Sequence, residues 1–146
     1  MDISSNGKYP SNALSNFAPH PFVIDGVECM SMEGFLQGLK FSNPDMQEYV
    51  CSLVGRKAKS YGAKKNWRRK QELYWKGEVI KRKSSEYQKL LDRAYDSIFK
   101  NTKFQKALSA TGSATLNHSI GKRKISETVL TQREFCSRLI KLRSRL

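Results

Sequence analysis

Long apolar runs are missing from this sequence. No stretch approaches the roughly 20 apolar residues that a membrane-spanning helix requires. Residues 1–7 have neither the basic start nor the apolar core of a secretory signal. We therefore expect a cytoplasmic protein without a membrane partner.

Residues that bind metals are also scarce. The chain has two histidines and three cysteines, and Cys29, Cys51 and Cys136 are scattered without a CxxC pair. This spacing does not match a zinc site. Walker, GxGxxG, HExxH and GxSxG motifs are absent as well. We expect reduced cysteines in the core, no metal and no cofactor.

Acidic residues are few, and the resulting charge is the strongest global signal. Against 13 Asp and Glu stand 27 Lys and Arg, which gives a net charge of +14. Such an excess favours phosphate-bearing or polyanionic partners, although a solvated basic surface is the alternative. Within residues 56–70, eight of fifteen are basic and none is acidic, with aromatic residues interleaved. The candidate phosphate or nucleic-acid contacts there are Lys64, Lys65, Arg68 and Arg69.

A β-hairpin and a helix follow each other near the N-terminus. Residues 22–24 and 27–30 are apolar-rich and flank Asp25-Gly26, a dipeptide typical of tight hairpin turns. Ser31 can then cap a helix over residues 31–41, whose apolar residues fall on one face within about 100° of arc.

A second face of this helix carries three polar side chains. Glu33, Gln37 and Lys40 follow i, i+4, i+7 spacing and form one stripe within about 60° of arc. Taken alone, the stripe is compatible with a solvated face, with Glu33 favoured by the helix dipole. It is also a candidate site, because acids are rare in this chain.

The rest of the sequence predicts mainly helices. Asn43-Pro44 starts a short helix to Val54, and Ser85 begins a buried helix that continues to Phe99. Residues 103–110 and the capping box at Thr131 predict two more helices. Residues 114–120 predict a strand or extended loop. We therefore expect an α+β, mostly helical, compact single domain spanning 1–146, with a short N-terminal hairpin packed on a helical core.

The order of several short motifs resembles the NADAR, or YbiA-like, N-glycosidase family. The motifs that carry the resemblance are Ser15-Asn16-Phe17, Pro21-Phe22, Asp25-Gly26-Val27, Ser31-Met32-Glu33, Gln37 and Lys40. It continues through Trp75, residues 90–99 and residues 108–112, and therefore covers most of the chain.

The resemblance implies hydrolysis of an N-glycosidic bond between ribose and a nitrogenous ring. The family's substrates are ADP-ribosylated guanine and phosphorylated ribosylamino-pyrimidine intermediates of riboflavin synthesis. Glu33 matches the expected catalytic carboxylate. The implied substrate contacts are Asn16 and Gln37 to sugar or base, Lys40 to phosphate or Glu33, Phe17 and Trp75 by stacking, and Thr111 and Gly112 through backbone donors. For Trp75, burial in the core is an equally open alternative.

Two departures from the family pattern affect the predicted chemistry. Gly34 stands where a histidine often follows the glutamate, and the basic run at residues 122–124 replaces an acidic segment. His118 is a candidate for the place of the missing acidic partner. The basic replacement favours ADP-ribosylated nucleic acid over the riboflavin intermediate. The alternative is a non-catalytic protein that binds nucleic acid or ADP-ribose.

Overall fold

Seven helices and two antiparallel hairpins form the structure, a computed structural model that describes residues 1–146. The elements are α1 (Ser11–Leu14), β1 (Phe22–Ile24), β2 (Val27–Cys29), α2 (Met32–Gly38), α3 (Pro44–Cys51), α4 (Gly55–Ala63), β3 (Glu72–Trp75), β4 (Glu78–Lys81), α5 (Ser85–Ile98), α6 (Thr102–Ala110), a 3-10 turn (Ile125–Glu127) and α7 (Gln132–Arg143). None of the helices combines the length and hydropathy needed to cross a bilayer. The predicted α+β, mostly helical fold is confirmed.

The first hairpin has the predicted register and turn. Phe22 pairs with Cys29 and Ile24 with Val27. Asp25 and Gly26 adopt φ angles of 49° and 80°, the backbone of a type I′ turn. Alternate residues of both strands are buried, so one face of the hairpin packs on the core.

Helix α2 is more deeply buried than its polar stripe suggests. The Ser31 hydroxyl accepts the Gly34 N–H at 3.0 Å, which confirms the predicted N-cap. The helix ends at Gly38 instead of Phe41, and each of its seven residues is buried. Glu33 and Gln37 therefore do not form a solvated face.

A second hairpin, β3–β4, was not predicted. Its turn, Lys76-Gly77, adopts φ angles of 52° and 86°, as in the first hairpin, but lacks the Asn or Asp that usually indicates such a turn. Strand β4 is mostly exposed and so shows no apolar alternation. The helix predicted after Asn43-Pro44 is confirmed with Asn43 as its N-cap, but its predicted end was wrong: α3 ends at Cys51 instead of Val54, and Gly55 begins α4.

The core is one cluster of 29 buried apolar residues, with α5 contributing a continuous buried face. The N-cap of α5 is Ser84, one residue before the predicted start of this helix. Cys29 and Cys51 lie in the core as predicted, whereas Cys136 is partly exposed. Residues 114–120 form an extended loop with a single bridge between Asn117 and Asp2.

A buried ion pair connects the residue that follows β4 to α7. The Arg82 side chain is fully buried and donates two hydrogen bonds to Glu134, at 2.6 and 3.1 Å. Its Nε donates to the Thr128 carbonyl at 2.8 Å. Glu134 also closes the predicted capping box with Thr131, which is confirmed. These bonds fix the segment before α7, which lines the cleft described next.

Candidate functional site

A cleft of about 470 Å³ lies between α2, α4 and the loop that precedes α7. The residues predicted from sequence that line it are Asn16, Phe17, Glu33, Gln37, Lys40, Lys65, Arg68 and His118. Residues 120–122 and 127–130 supply the opposite wall. The structure thus brings most of the candidate residues into one site.

Glu33 is the buried carboxylate of this cleft. It is 9% exposed, and its Oε2 accepts the Gln37 Nε2–H at 2.6 Å. Its backbone N–H donates to the Asn16 carbonyl at 2.9 Å, which joins α2 to the N-terminal loop. Burial raises the pKa of Glu33, and the Gln37 hydrogen bond and the charges of Lys59 and Lys40 only partly oppose that rise.

The Gln37 amide is held against α4 by close packing. A Cβ built on Gly62 would lie 1.7 Å from Gln37 Oε1, so only glycine fits at that position with Gln37 in place. Gln37 Oε1 is itself buried without a hydrogen-bond partner. The amide is therefore oriented by its bond to Glu33 and by the shape of α4.

Cations surround the carboxylate. Lys40, Lys59, Lys65, Arg68 and Lys122 all line the cleft, against Glu33 and Glu127 as acids. Burial lowers the pKa of Lys40 to about 8; Glu33 opposes this effect, and the charges of Arg68, Lys59 and Lys122 add to it. The cluster is poised to bind an anion, which would relieve the repulsion among its members.

Asn16 has one side of its amide fixed. The Tyr95 hydroxyl donates to Asn16 Oδ1 at 3.0 Å, which leaves the two Nδ2 hydrogens for a ligand. The neighbouring Phe17 is partly exposed in the cleft, and Lys59 Nζ lies 5.9 Å from its ring centroid. The pair combines donors with an aromatic surface.

His118 has a defined tautomer. Its Nδ1 lies 2.8 Å from the Ile3 carbonyl oxygen. Because a carbonyl only accepts hydrogen bonds, Nδ1 carries the hydrogen. The other ring nitrogen, Nε2, makes no hydrogen bond within the protein. The ring packs edge-on against Phe135, with centroids 5.1 Å apart.

Three predicted substrate contacts lie outside the cleft. The Trp75 ring is 5% exposed, packs against Phe35 and donates its indole N–H to Asp25 at 2.9 Å, so it anchors the first hairpin instead of stacking on a ligand. Thr111 and Gly112 terminate α6. The Thr111 hydroxyl accepts a hydrogen bond from Arg143 of α7 at 2.9 Å, so this pair joins two helices.

The predicted basic patch is divided. Lys65 and Arg68 line the cleft, whereas Lys64 and Arg69 do not. Arg68 donates two hydrogen bonds to the Glu127 carbonyl, at 2.9 and 3.1 Å, and so holds the opposite wall of the cleft. The structure therefore brings two of the four side chains into the cleft and leaves the other two outside it.

Position 34 does not belong to the cleft. A Cβ on Gly34 would lie 2.5 Å from the Leu53 carbonyl oxygen and 2.8 Å from that of Cys51. Because α2 lies this close to the end of α3, position 34 has no room for a side chain. The absence of a histidine there removes nothing from the site in this chain.

Sequence reasoning missed Lys59, Lys122 and the wall formed by residues 127–130. Lys59 lies one turn before Gly62 on α4, and Lys122 follows the His118 loop. Both are ordinary exposed lysines in the sequence pattern. The basic composition of the two segments was visible, but their convergence on Glu33 depends on long-range packing.

The comparisons with known proteins agree with this fold. The family model described as bacteriophage protein GP30.3 matches residues 8–144. The uncharacterized 17.1 kDa protein in the Gp30-rIII intergenic region of Enterobacteria phage T4 is 38% identical over 151 residues, covering 100% of this chain and 98% of that protein. The NMR structure of the E. coli protein YbiA matches with a TM-score of 0.61 and 18% identity, over 99% of this chain and 86% of that one. The chain belongs to the bacteriophage GP30.3 family and has the YbiA-like fold that the NADAR resemblance implied.

Proposed function

We propose that this protein is an N-glycosidase that hydrolyses a ribose-to-base bond in an anionic substrate. The observation that carries the proposal is the buried Glu33 carboxylate in a cleft lined by five cations. A buried carboxylate can stabilise positive charge that develops during a reaction. The cations can bind the phosphate groups of a substrate.

Glu33 acts on the ribose carbon that is bonded to the base. As the bond to the base nitrogen breaks, the sugar acquires oxocarbenium character, which a nearby carboxylate stabilises. Glu33 takes a proton from water while the water oxygen bonds to that carbon. Its raised pKa makes it a better base than a solvated glutamate. The leaving nitrogen takes up one proton from solvent, and Glu33 returns to solvent the proton that it took from water, so that one water molecule is consumed for each bond cleaved.

The remaining cleft residues bind the substrate. Asn16 Nδ2 donates to sugar hydroxyls or a base edge, and Phe17 stacks on the ring. The cations hold phosphate. Five of them exceed what a single phosphate needs, which supports ADP-ribosylated guanine in nucleic acid over the phosphorylated ribosylamino-pyrimidine.

The direct test uses both substrate classes. Purified protein is incubated separately with a guanine-ADP-ribosylated DNA oligonucleotide and with ribosylamino-pyrimidine phosphate, and released sugar is quantified by chromatography. We expect release of ADP-ribose from the oligonucleotide. Release from neither substrate would contradict the proposal.

Binding without catalysis is a second candidate function, favoured by the cation cluster alone. It requires that ADP-ribose or nucleic acid bind with an affinity that falls with salt and that no bond be cleaved. Calorimetry with free ADP-ribose, combined with the turnover assay, separates the two functions: heat without turnover supports binding alone.

Lys40 should take up protons when an anion binds. At pH 8 about half of the Lys40 side chains are neutral, and an adjacent phosphate favours the charged form, so up to about half a proton enters per ligand. Calorimetry of ADP-ribose binding in two buffers of different ionisation enthalpy measures this uptake. We expect Lys40→Met to remove most of it and Lys89→Met, an exposed lysine on α5, to retain it. Binding at pH 8 without proton uptake would refute this role.

Tyr95 should act as a positioning residue for Asn16. Tyr95→Phe keeps the buried ring and removes the hydroxyl, so the Asn16 amide loses its fixed orientation. We expect about fivefold weaker ADP-ribose binding, corresponding to one hydrogen bond of about 1 kcal/mol. The loss should vanish in an Asn16→Ala background, where no amide remains to be oriented. An equal loss in both backgrounds would show a purely structural role.

A further inference from the structure

A second, smaller depression adjoins the cleft. It has a volume of about 170 Å³ and is lined by Lys40, Ser42, Lys65, Asn66, Trp67, Lys70, Glu72 and Tyr74. Lys40, Lys65 and Trp67 line both depressions, so no other residue layer separates them. A ligand longer than the cleft can therefore continue across these shared side chains.

The second depression is electropositive. Lys40, Lys65 and Lys70 line it, and Glu72 is its one acidic residue. The Glu72 carboxylate accepts a hydrogen bond from Lys81 at 2.5 Å, which lowers the pKa of Glu72 and offsets its charge. Lys65 Nζ lies 4.9 Å from the Phe41 ring centroid, so this cation is held at the boundary of the two depressions.

The depth of Glu33 decides which form of nucleic acid fits. With Glu33 only 9% exposed, the bond to be cleaved must enter the cleft. A base that remains stacked and paired in a duplex cannot do this, whereas a nucleotide in a single strand can turn out of the stack at low cost. The strand then leaves the cleft with a phosphate on each side of the reacting nucleotide.

We propose that the second depression binds a flanking nucleotide, so that the substrate of this protein is part of a single-stranded nucleic acid. Lys65 and Lys70 contact the flanking phosphate, Asn66 offers amide donors, and the partly exposed Tyr74 offers an aromatic surface to the flanking base. The inference rests on the proposed function in taking the Glu33 cleft as the position of the reacting nucleoside.

Lys70 provides the test, because it lines the second depression and not the cleft. The probe is an unmodified, fluorescein-labelled single-stranded DNA of about ten nucleotides, followed by anisotropy over a range of salt concentrations. For Lys70→Ala we expect at least about threefold weaker binding and a salt slope smaller by about 0.7, the value for one lost phosphate contact on a single strand. Lys89→Ala carries the same charge change on α5 and should bind like the wild type.

The reverse results would overturn the inference. Wild-type affinity and salt slope in Lys70→Ala would show that no strand crosses the second depression. Equal affinity of the wild type for a matched duplex would contradict single-strand binding. Both measurements use unmodified DNA and require no turnover. Absence of turnover by the wild type in every substrate assay would therefore refute the proposed function, and the binding of single-stranded DNA across the second depression would still stand.

Discussion

Glu33→Gln should lower the rate of N-glycoside hydrolysis by about 10²–10⁴-fold, the range for removal of a general base. The amide keeps the shape of the side chain and can still contact Gln37, but it neither accepts a proton from water nor stabilises positive charge on the sugar. Binding of ADP-ribose should change far less. The measurement is single-turnover release of ADP-ribose from the modified oligonucleotide, together with calorimetry of free ADP-ribose.

Glu28→Gln is the matched control. Glu28 is exposed on β2 and lies outside the cleft, and its substitution removes the same charge. It should retain wild-type turnover.

Thermal unfolding supplies a second measurement on Glu33→Gln. The pKa of Glu33 is raised on folding, so the folded state binds more protons, and its stability falls as pH rises through that raised pKa. Glu33→Gln should therefore gain in Tm relative to the wild type from pH 4 to pH 7. Unchanged turnover would remove Glu33 from the mechanism.

Arg82→Met should lower the free energy of unfolding by about 3–5 kcal/mol. The substitution leaves Glu134, which is 8% exposed, without its bidentate partner, and leaving a buried charge unpaired carries a penalty of that size. The Thr128 carbonyl also loses its donor. Urea unfolding at pH 7 measures the change.

Arg145→Met is the control for this loss. Arg145 pairs with Asp96 on the surface, where the side chains are 44% and 53% exposed, and such a pair contributes about 0–1 kcal/mol.

Hydrogen bonds from Arg82, Gln88 and Thr131 outweigh burial and lower the pKa of Glu134. The stability from this group is therefore present above pH 4.5 and is lost as pH falls through its lowered pKa. A loss below 1 kcal/mol for Arg82→Met at pH 7 would contradict the assigned role.

Features with local causes were predicted well from the sequence. The first hairpin depends on Asp25-Gly26, the start of α2 on Ser31, and the start of α7 on Thr131 with Glu134. Each of these features depends on contacts between residues within a few positions of one another. The local sequence pattern is therefore nearly sufficient to predict it.

Features that depend on long-range packing were not predictable in this way. The spacing of Glu33, Gln37 and Lys40 is the same for a solvated face and for a cleft wall. Only the packing of α4 and the loop after His118 makes it a wall. The aromatic ring of Trp75 suggested stacking on a ligand, but the partner that decides its position is Asp25, 50 residues earlier.

The missing side chain at Gly62 determines how narrow the cleft is. Any larger residue there would push α4 away from α2 or displace Gln37 from Glu33. Moving α4 outward would carry Lys59 away from the carboxylate, and the attraction between charges weakens with distance. A single hydrogen atom in place of a methyl group thus keeps the acid and the cations of this site within reach of one substrate.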